Sequence, residues 1–181
     1  DALTIREHFG SWRGVKLAYF GDSNNISNSL LEIAPRLGMD FALATPNPAA
    51  IDATCLQQAR ADAHKHNTAL TITADPFVAV KNADVLYTDV WVSMGQTADQ
   101  AFIEALKPYQ INAALLDSAH PQAKVMHCLP MHRGEEITAD IADGTRSIVF
   151  DQAENRLHTH KAVLVALIEG VALLRRQRLA A

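Results

Sequence analysis

Three short polar clusters, each following an apolar run, carry the side chains of this sequence that are able to do chemistry. Gly21-Asp22-Ser23-Asn24-Asn25 follows Val15-Lys16-Leu17-Ala18-Tyr19-Phe20, and Thr88-Asp89-Val90-Trp91-Val92-Ser93-Met94-Gly95 follows Val85-Leu86-Tyr87. The third, His127-Cys128-Leu129-Pro130, closes Lys124-Val125-Met126. Together they offer carboxylates, amides, hydroxyls, an imidazole and a thiol, a set that suits a small polar ligand. Taken singly, each has a plainer explanation. The first is a strand-to-helix turn with an Asx cap, Asp89 is a helix cap and Ser93 a loop hydroxyl, and Cys128, like Cys55, is a small buried hydrophobe. His64 and His66 stand two apart, as do His158 and His160. On a helix neither pair faces one side, so zinc ligation is not indicated.

The elements that position these clusters alternate along the chain. Beside the three apolar runs, Phe41-Ala42-Leu43-Ala44 and Ala69-Leu70-Thr71-Ile72 also read as strands, and helical stretches separate them. One such stretch ends at Gly38 with Pro35 expected to kink it, and another covers residues 50–66. The alternation predicts an α/β fold, a Rossmann-like parallel sheet of about five strands flanked by helices. Leu157, Leu164, Ile168 and Val171 mark a long C-terminal helix whose apolar face needs a partner, ending in Arg175-Arg176-Gln177-Arg178. Ligands of such sheets collect outside the carboxyl ends of the strands, so all three clusters are expected on one edge. The amides that start the helix after strand one are expected to face that edge and to be available to a carboxylate or phosphate.

Composition narrows the class of partner. The 181 residues carry a net charge of −4, and no basic run is long enough to serve nucleic acid or anionic lipid. Two cysteines outside any C-x-x-C spacing give neither a disulfide framework nor a zinc knuckle and fit a reducing cytoplasm. No apolar stretch approaches the ~20 residues of a membrane span. The chain starts without Met, inside a helix-like stretch with Leu3, Ile5 and Phe9, and so reads as one domain, residues 1–181, of a longer polypeptide. Residues 1–12 and 152–178 are expected to be helices that connect to, or pack against, a domain upstream.

Gly-Asp-x-Asn-Asn at 21–25, Asp-x-Trp-x-Ser-Met-Gly at 89–95, His-Cys-Leu-Pro at 127–130 and Phe-Asp-Gln-Ala-Glu-Asn-Arg at 150–156 together resemble the ornithine carbamoyltransferases, in order and spacing over the whole chain. His-Arg-Gly-Glu-Glu-Ile at 132–137 is similar to the biosynthetic members rather than the arginine-degrading ones. The resemblance implies transfer of a carbamoyl group from carbamoyl phosphate to ornithine, giving citrulline and phosphate, without metal or organic cofactor. It implies that Asn25, Asp89, Ser93 and Met94 hold the α-amino and α-carboxylate groups of ornithine. It likewise implies that Cys128 lies beside the reacting amine, that the Leu129 carbonyl helps to orient that amine or the carbamoyl nitrogen, and that Arg156 contacts the carbamoyl oxygen. These residue types suit those tasks. A zwitterion needs an anion at its ammonium and neutral donors at its carboxylate, and a guanidinium at an oxygen gaining charge stabilises the transition state. Presenting an amine of pKa ~10.4 in neutral form at pH 7 costs roughly 4–5 kcal/mol. Cys128 is expected to orient or deprotonate that amine without being acylated, and the base itself stays open.

The family's Ser-Thr-Arg-Thr-Arg phosphate loop and His-Pro-x-Gln segment do not occur in this sequence. This chain is therefore expected to be the ornithine-binding half, inactive alone, with carbamoyl phosphate held by the other half in a homotrimer or larger assembly. Two rivals stand beside this reading: a relative acting on putrescine or an acylated ornithine, and a non-catalytic Rossmann-like ligand-binding or interaction module. The lack of G-x-G-x-x-G after strand one argues against a dinucleotide.

Overall fold

The computed structural model describes residues 1–92, 97 and 99–179, with side chains up to residue 170. Helices and strands alternate as α1 Ala2–Phe9, β1 Lys16–Phe20, α2 Asn25–Leu37, β2 Asp40–Ala44, α3 Ala53–His66, β3 Leu70–Thr73, α4 Pro76–Val80 and β4 Val85–Thr88. They continue as α5 Gln100–Leu106, α6 Ala113–Asp117, β5 Lys124–His127, α7 Ala139–Ala142 and α8 Val149–Leu179. The strands form one parallel five-stranded sheet in the order β3-β2-β1-β4-β5. All five expected strands are present, and the order reverses between β1 and β4.

Successive strand side chains point to opposite faces, so each strand feeds two cores. Leu17, Tyr19, Phe41, Leu43, Val85, Tyr87 and Met126 pack on one face with Leu30, Leu31 and Ala34 of α2. Ala18, Phe20, Ala42, Leu86 and Val125 pack on the other with Val80, Leu106, Leu115 and Leu116. Removing each large apolar side chain from water stabilises the fold by roughly 1.5–3 kcal/mol.

Register explains why the clusters meet. Phe20 pairs with Thr88, and Thr88 with His127, so the next residues, Gly21, Asp89 and Cys128, leave the sheet at one level. Gly21 turns away with φ 141°, a value side-chain-bearing residues rarely adopt. The Thr88 hydroxyl donates to the Phe20 carbonyl at 2.8 Å and ties the two strand ends together. Pro35 sits in the last turn of α2, which runs on to Leu37 before Gly38 closes it in the left-handed region. Helix α8, 31 residues long, begins at Val149, earlier than its periodicity indicates. No helix among the described residues is long and apolar enough to cross a membrane.

Candidate functional site

At the carboxyl ends of β1, β4 and β5, a cleft of about 530 Å³ is lined by Asn25, Asp89, Cys128, Leu129 and Arg156, among others. Four separate segments thus bring five of the expected residues to one cavity. Ser93 and Met94, the other two, lie outside the described residues.

Asp89, 8% exposed, is the hub. Its Oδ1 accepts from the Val90 N–H at 2.8 Å and from the Cys128 thiol at 2.9 Å, and its Oδ2 accepts from Asn24 Nδ2 at 3.0 Å. The Cys128 thiol is pushed up to about 12 by burial first and then by the hydrogen bond and charge of Asp89, while the Tyr87 hydroxyl pulls the other way. Cys128 is therefore a neutral donor to Asp89. That disfavours a standing thiolate as the proton acceptor. Tyr19 and Tyr87 stack with ring centroids 6.0 Å apart under the cleft. Burial holds both phenols neutral, well above their ordinary value, with Asp89 adding for Tyr19 and Cys128 for Tyr87.

Leu129 owes its place to His127. The Leu129 N–H donates to His127 Nδ1 at 2.9 Å, which leaves Nε2–H to donate to Glu136 Oε1 at 3.0 Å. His127 and Glu136 are both fully buried, and Glu136 Oε1 also accepts from the His132 N–H at 2.6 Å. The imidazole holds Leu129 at φ 58°, a left-handed conformation that costs a branched residue roughly 1–2 kcal/mol. Strain of this kind clusters where a backbone group is aimed at a ligand. His127 thus has a structural role, orienting the backbone that follows Cys128. Asp89, His127 and Cys128 bring potential ligand atoms within 4.8 Å of one another. Both imidazole nitrogens are already committed, so the group as built is a hydrogen-bonded unit.

One expectation changes. The start of α2 is largely occupied, because Asn24 Oδ1 accepts from the Ile26 and Ser27 amides at 2.9 and 3.0 Å. The Ser27 hydroxyl accepts from the Asn24 N–H at 2.8 Å and completes a capping box. Asn25, exposed at the rim, keeps a free side chain among the described hydrogen bonds. Arg156, on α8, is exposed and lines the same cleft, and its neighbours Asp151 and Glu154 pair instead with His8 and His158.

Reasoning from residue type overlooked Tyr87, Asn24, Glu136 and Gln152. Tyr87 and Gln152 line the cleft floor, and Glu136 and Asn24 support it from behind. The only signal was their presence inside, or next to, the recognised strings.

Residues 13–167 match the family described as aspartate/ornithine carbamoyltransferase, Asp/Orn binding domain. An ornithine carbamoyltransferase of Gloeobacter violaceus is 50% identical over 171 residues, 94% of this chain and 55% of the relative. The crystal structure of ornithine carbamoyltransferase from that organism superposes with a TM-score of 0.85 at 47% identity, covering 92% of this chain and 56% of that one. The Pyrococcus furiosus ornithine carbamoyltransferase gives 0.85 at 45% identity, covering 90% and 52%. The chain spans about half the length of the curated relatives it matches. With the fold, the strand-end cleft and these likenesses in agreement, the chain belongs to the aspartate/ornithine carbamoyltransferase family and corresponds to its Asp/Orn binding domain.

Proposed function

We propose that this chain is the ornithine-binding half of an ornithine carbamoyltransferase, transferring a carbamoyl group from carbamoyl phosphate to ornithine in cytoplasmic arginine biosynthesis. The observation that carries the reading is the convergence of Asn25, Asp89, Cys128, Leu129 and Arg156 on one cleft. In this reading Asp89 takes the α-ammonium, Asn25 with Ser93 and Met94 takes the α-carboxylate, and Arg156 faces the carbamoyl oxygen. The Leu129 carbonyl accepts from the side-chain amine or from the carbamoyl nitrogen, and Cys128 orients the amine without being acylated.

The electrostatics give ornithine a part in preparing its own site. Asp89 is the second cause of the raised Cys128 thiol, after burial. An ammonium on Asp89 cancels that charge and brings the thiol back toward its ordinary range.

Carbamoyl phosphate belongs, in this proposal, to a domain preceding residue 1, in a homotrimer or larger assembly. Helix α8 supports that arrangement, because Leu157, Leu164, Leu167 and Ile168 are 58–69% exposed on it. Contiguous apolar surface of this kind marks a docking face, and residues 1–12 and 152–178 are where we place the contact.

Calorimetric titration with L-ornithine, N-acetylornithine, putrescine and NAD tests the reading. L-ornithine is expected to bind in preference to the other three, and Asp89→Asn to weaken it at least ~10-fold, the loss of one charge-assisted bond worth about 1.5–3 kcal/mol. NAD binding without ornithine binding would replace the proposal with a nucleotide module. The chain alone is expected to form no citrulline.

A further inference from the structure

Strand β5 lies at the edge of the sheet, so one side of its backbone has no neighbouring strand. The segment before α8 covers part of that side, with Val125 N–H donating to the Arg146 carbonyl at 2.9 Å and Ile148 N–H to the Val125 carbonyl at 3.0 Å. The next outward amide, that of His127, meets no strand. It donates instead to the side-chain Oε1 of Gln152 at 2.9 Å.

Gln152 is 2% exposed and uses its other end as fully. Nε2 donates to the Tyr87 hydroxyl at 3.1 Å and to Asp1 Oδ1 at 2.8 Å, and the Tyr87 hydroxyl donates to Asp1 Oδ2 at 3.2 Å. One buried amide therefore joins the last residue of β5, a tyrosine of β4 and the start of α1. Cys128 follows the first of these directly, and the Tyr87 hydroxyl lies near enough to favour its thiolate.

We propose that Gln152 is a positioning residue for Cys128: by replacing the missing strand at the His127 amide and holding the Tyr87 hydroxyl, it sets where the thiol stands against Asp89. The proposal rests on the functional reading above, in which Cys128 serves the amine. An orphaned His127 N–H would let the strand end move and admit water, since buried backbone donors do not stay unpaired. The titratable groups that act on Cys128 are Asp89, next after β4, Tyr87 of β4 and Tyr19 of β1, while Asp1 ahead of α1 and Arg156 and His160 of α8 line the same cleft.

The test is the pH dependence of Cys128 alkylation by iodoacetamide, read on its own peptide by mass spectrometry in the 181-residue chain, so that Cys55 does not interfere. In Gln152→Leu the midpoint is expected to fall by about one unit and the rate at pH 8 to rise about 10-fold, because desolvation is the largest cause of the raised value. In Tyr87→Phe, which removes the hydroxyl that favours the thiolate, alkylation is expected to slow. Simple loosening of the fold would speed both variants, so opposite signs distinguish positioning from instability. Hydrogen exchange of the peptide containing His127 gives a second reading, expected to quicken in Gln152→Leu and not in Tyr87→Phe. Unchanged alkylation and exchange in Gln152→Leu would overturn the proposal, as would acceleration in both variants. Ornithine protection of wild-type Cys128 is read separately, so loss of that protection with the variant effects intact would count against the function and not against Gln152.

Discussion

Residues 149–156 and 157–170 belong to the same helix, yet their surroundings are opposite. In the first stretch Val149, Gln152 and Asn155 are buried, and Asn155 Nδ2 donates to Thr4 Oγ1 and Glu7 Oε2 of α1 at 3.0 and 2.6 Å. In the second, Leu157, Val163, Leu164, Val165, Leu167 and Ile168 are all more than half exposed. The helix continues for about 46 Å at 1.5 Å per residue, regardless of whether anything covers it. Local propensity makes the helix, and partners decide which of its faces are hidden. The first stretch is bolted to the cleft by polar side chains, whereas the second leaves its apolar ones exposed.

The contrast can be broken most severely at the bolted end. Val149→Asp places an unpaired carboxylate in a fully buried site, a cost of several kcal/mol against a total stability of about 5–15 kcal/mol. The expected result is loss of the cooperative thermal transition in circular dichroism. A smaller effect follows from the thiol held at that end. Cys128 is raised in the folded chain to about 12 from an ordinary value of 9.0. The unfolded chain therefore releases the proton first, and stability is full below the ordinary value and falls as pH rises through this window. Urea midpoints are expected to decline from about pH 8 to about pH 9, below the range in which unfolded tyrosine titrates, and Cys128→Ser is expected to make the decline shallower, the remainder coming from Cys55, which burial also raises. The smallest effect belongs to the uncovered end, where Leu164→Asp with Ile168→Asp is expected to change the chain's stability by less than ~0.5 kcal/mol per site. A large loss in that double variant would mean that the second stretch already packs on something in solution, and analytical ultracentrifugation would show it.

Much of the architecture was legible because its signals are local. Buried parallel strands are short apolar runs, and Gly38 or Asn24 marks a helix boundary by its own chemistry. The joint placement of Asp89 and Cys128 was also legible, since both leave strands at the same edge. Gln152 was not, although it stands inside a recognised string. Its task depends on β5 being an edge strand with an unanswered amide, and strand order is a tertiary fact with no local trace. Glu136 escaped for a similar reason: a loop carboxylate beside Glu135 looks solvated until the fold buries it under His127. The expectation of open amides at α2 failed on competition, because Asn24 reaches those donors before any ligand does.

Asn24 spans a joint as well as ending a helix. Its oxygen grips the first turn of α2, while its nitrogen grips the carboxylate at the end of β4. The end of β4 and the start of α2 are therefore joined by a single side chain, and Asp89 cannot shift without lengthening one of its bonds. The floor of the cavity is thereby tied through one amide to the first turn of α2, whose first residue is the rim residue Asn25.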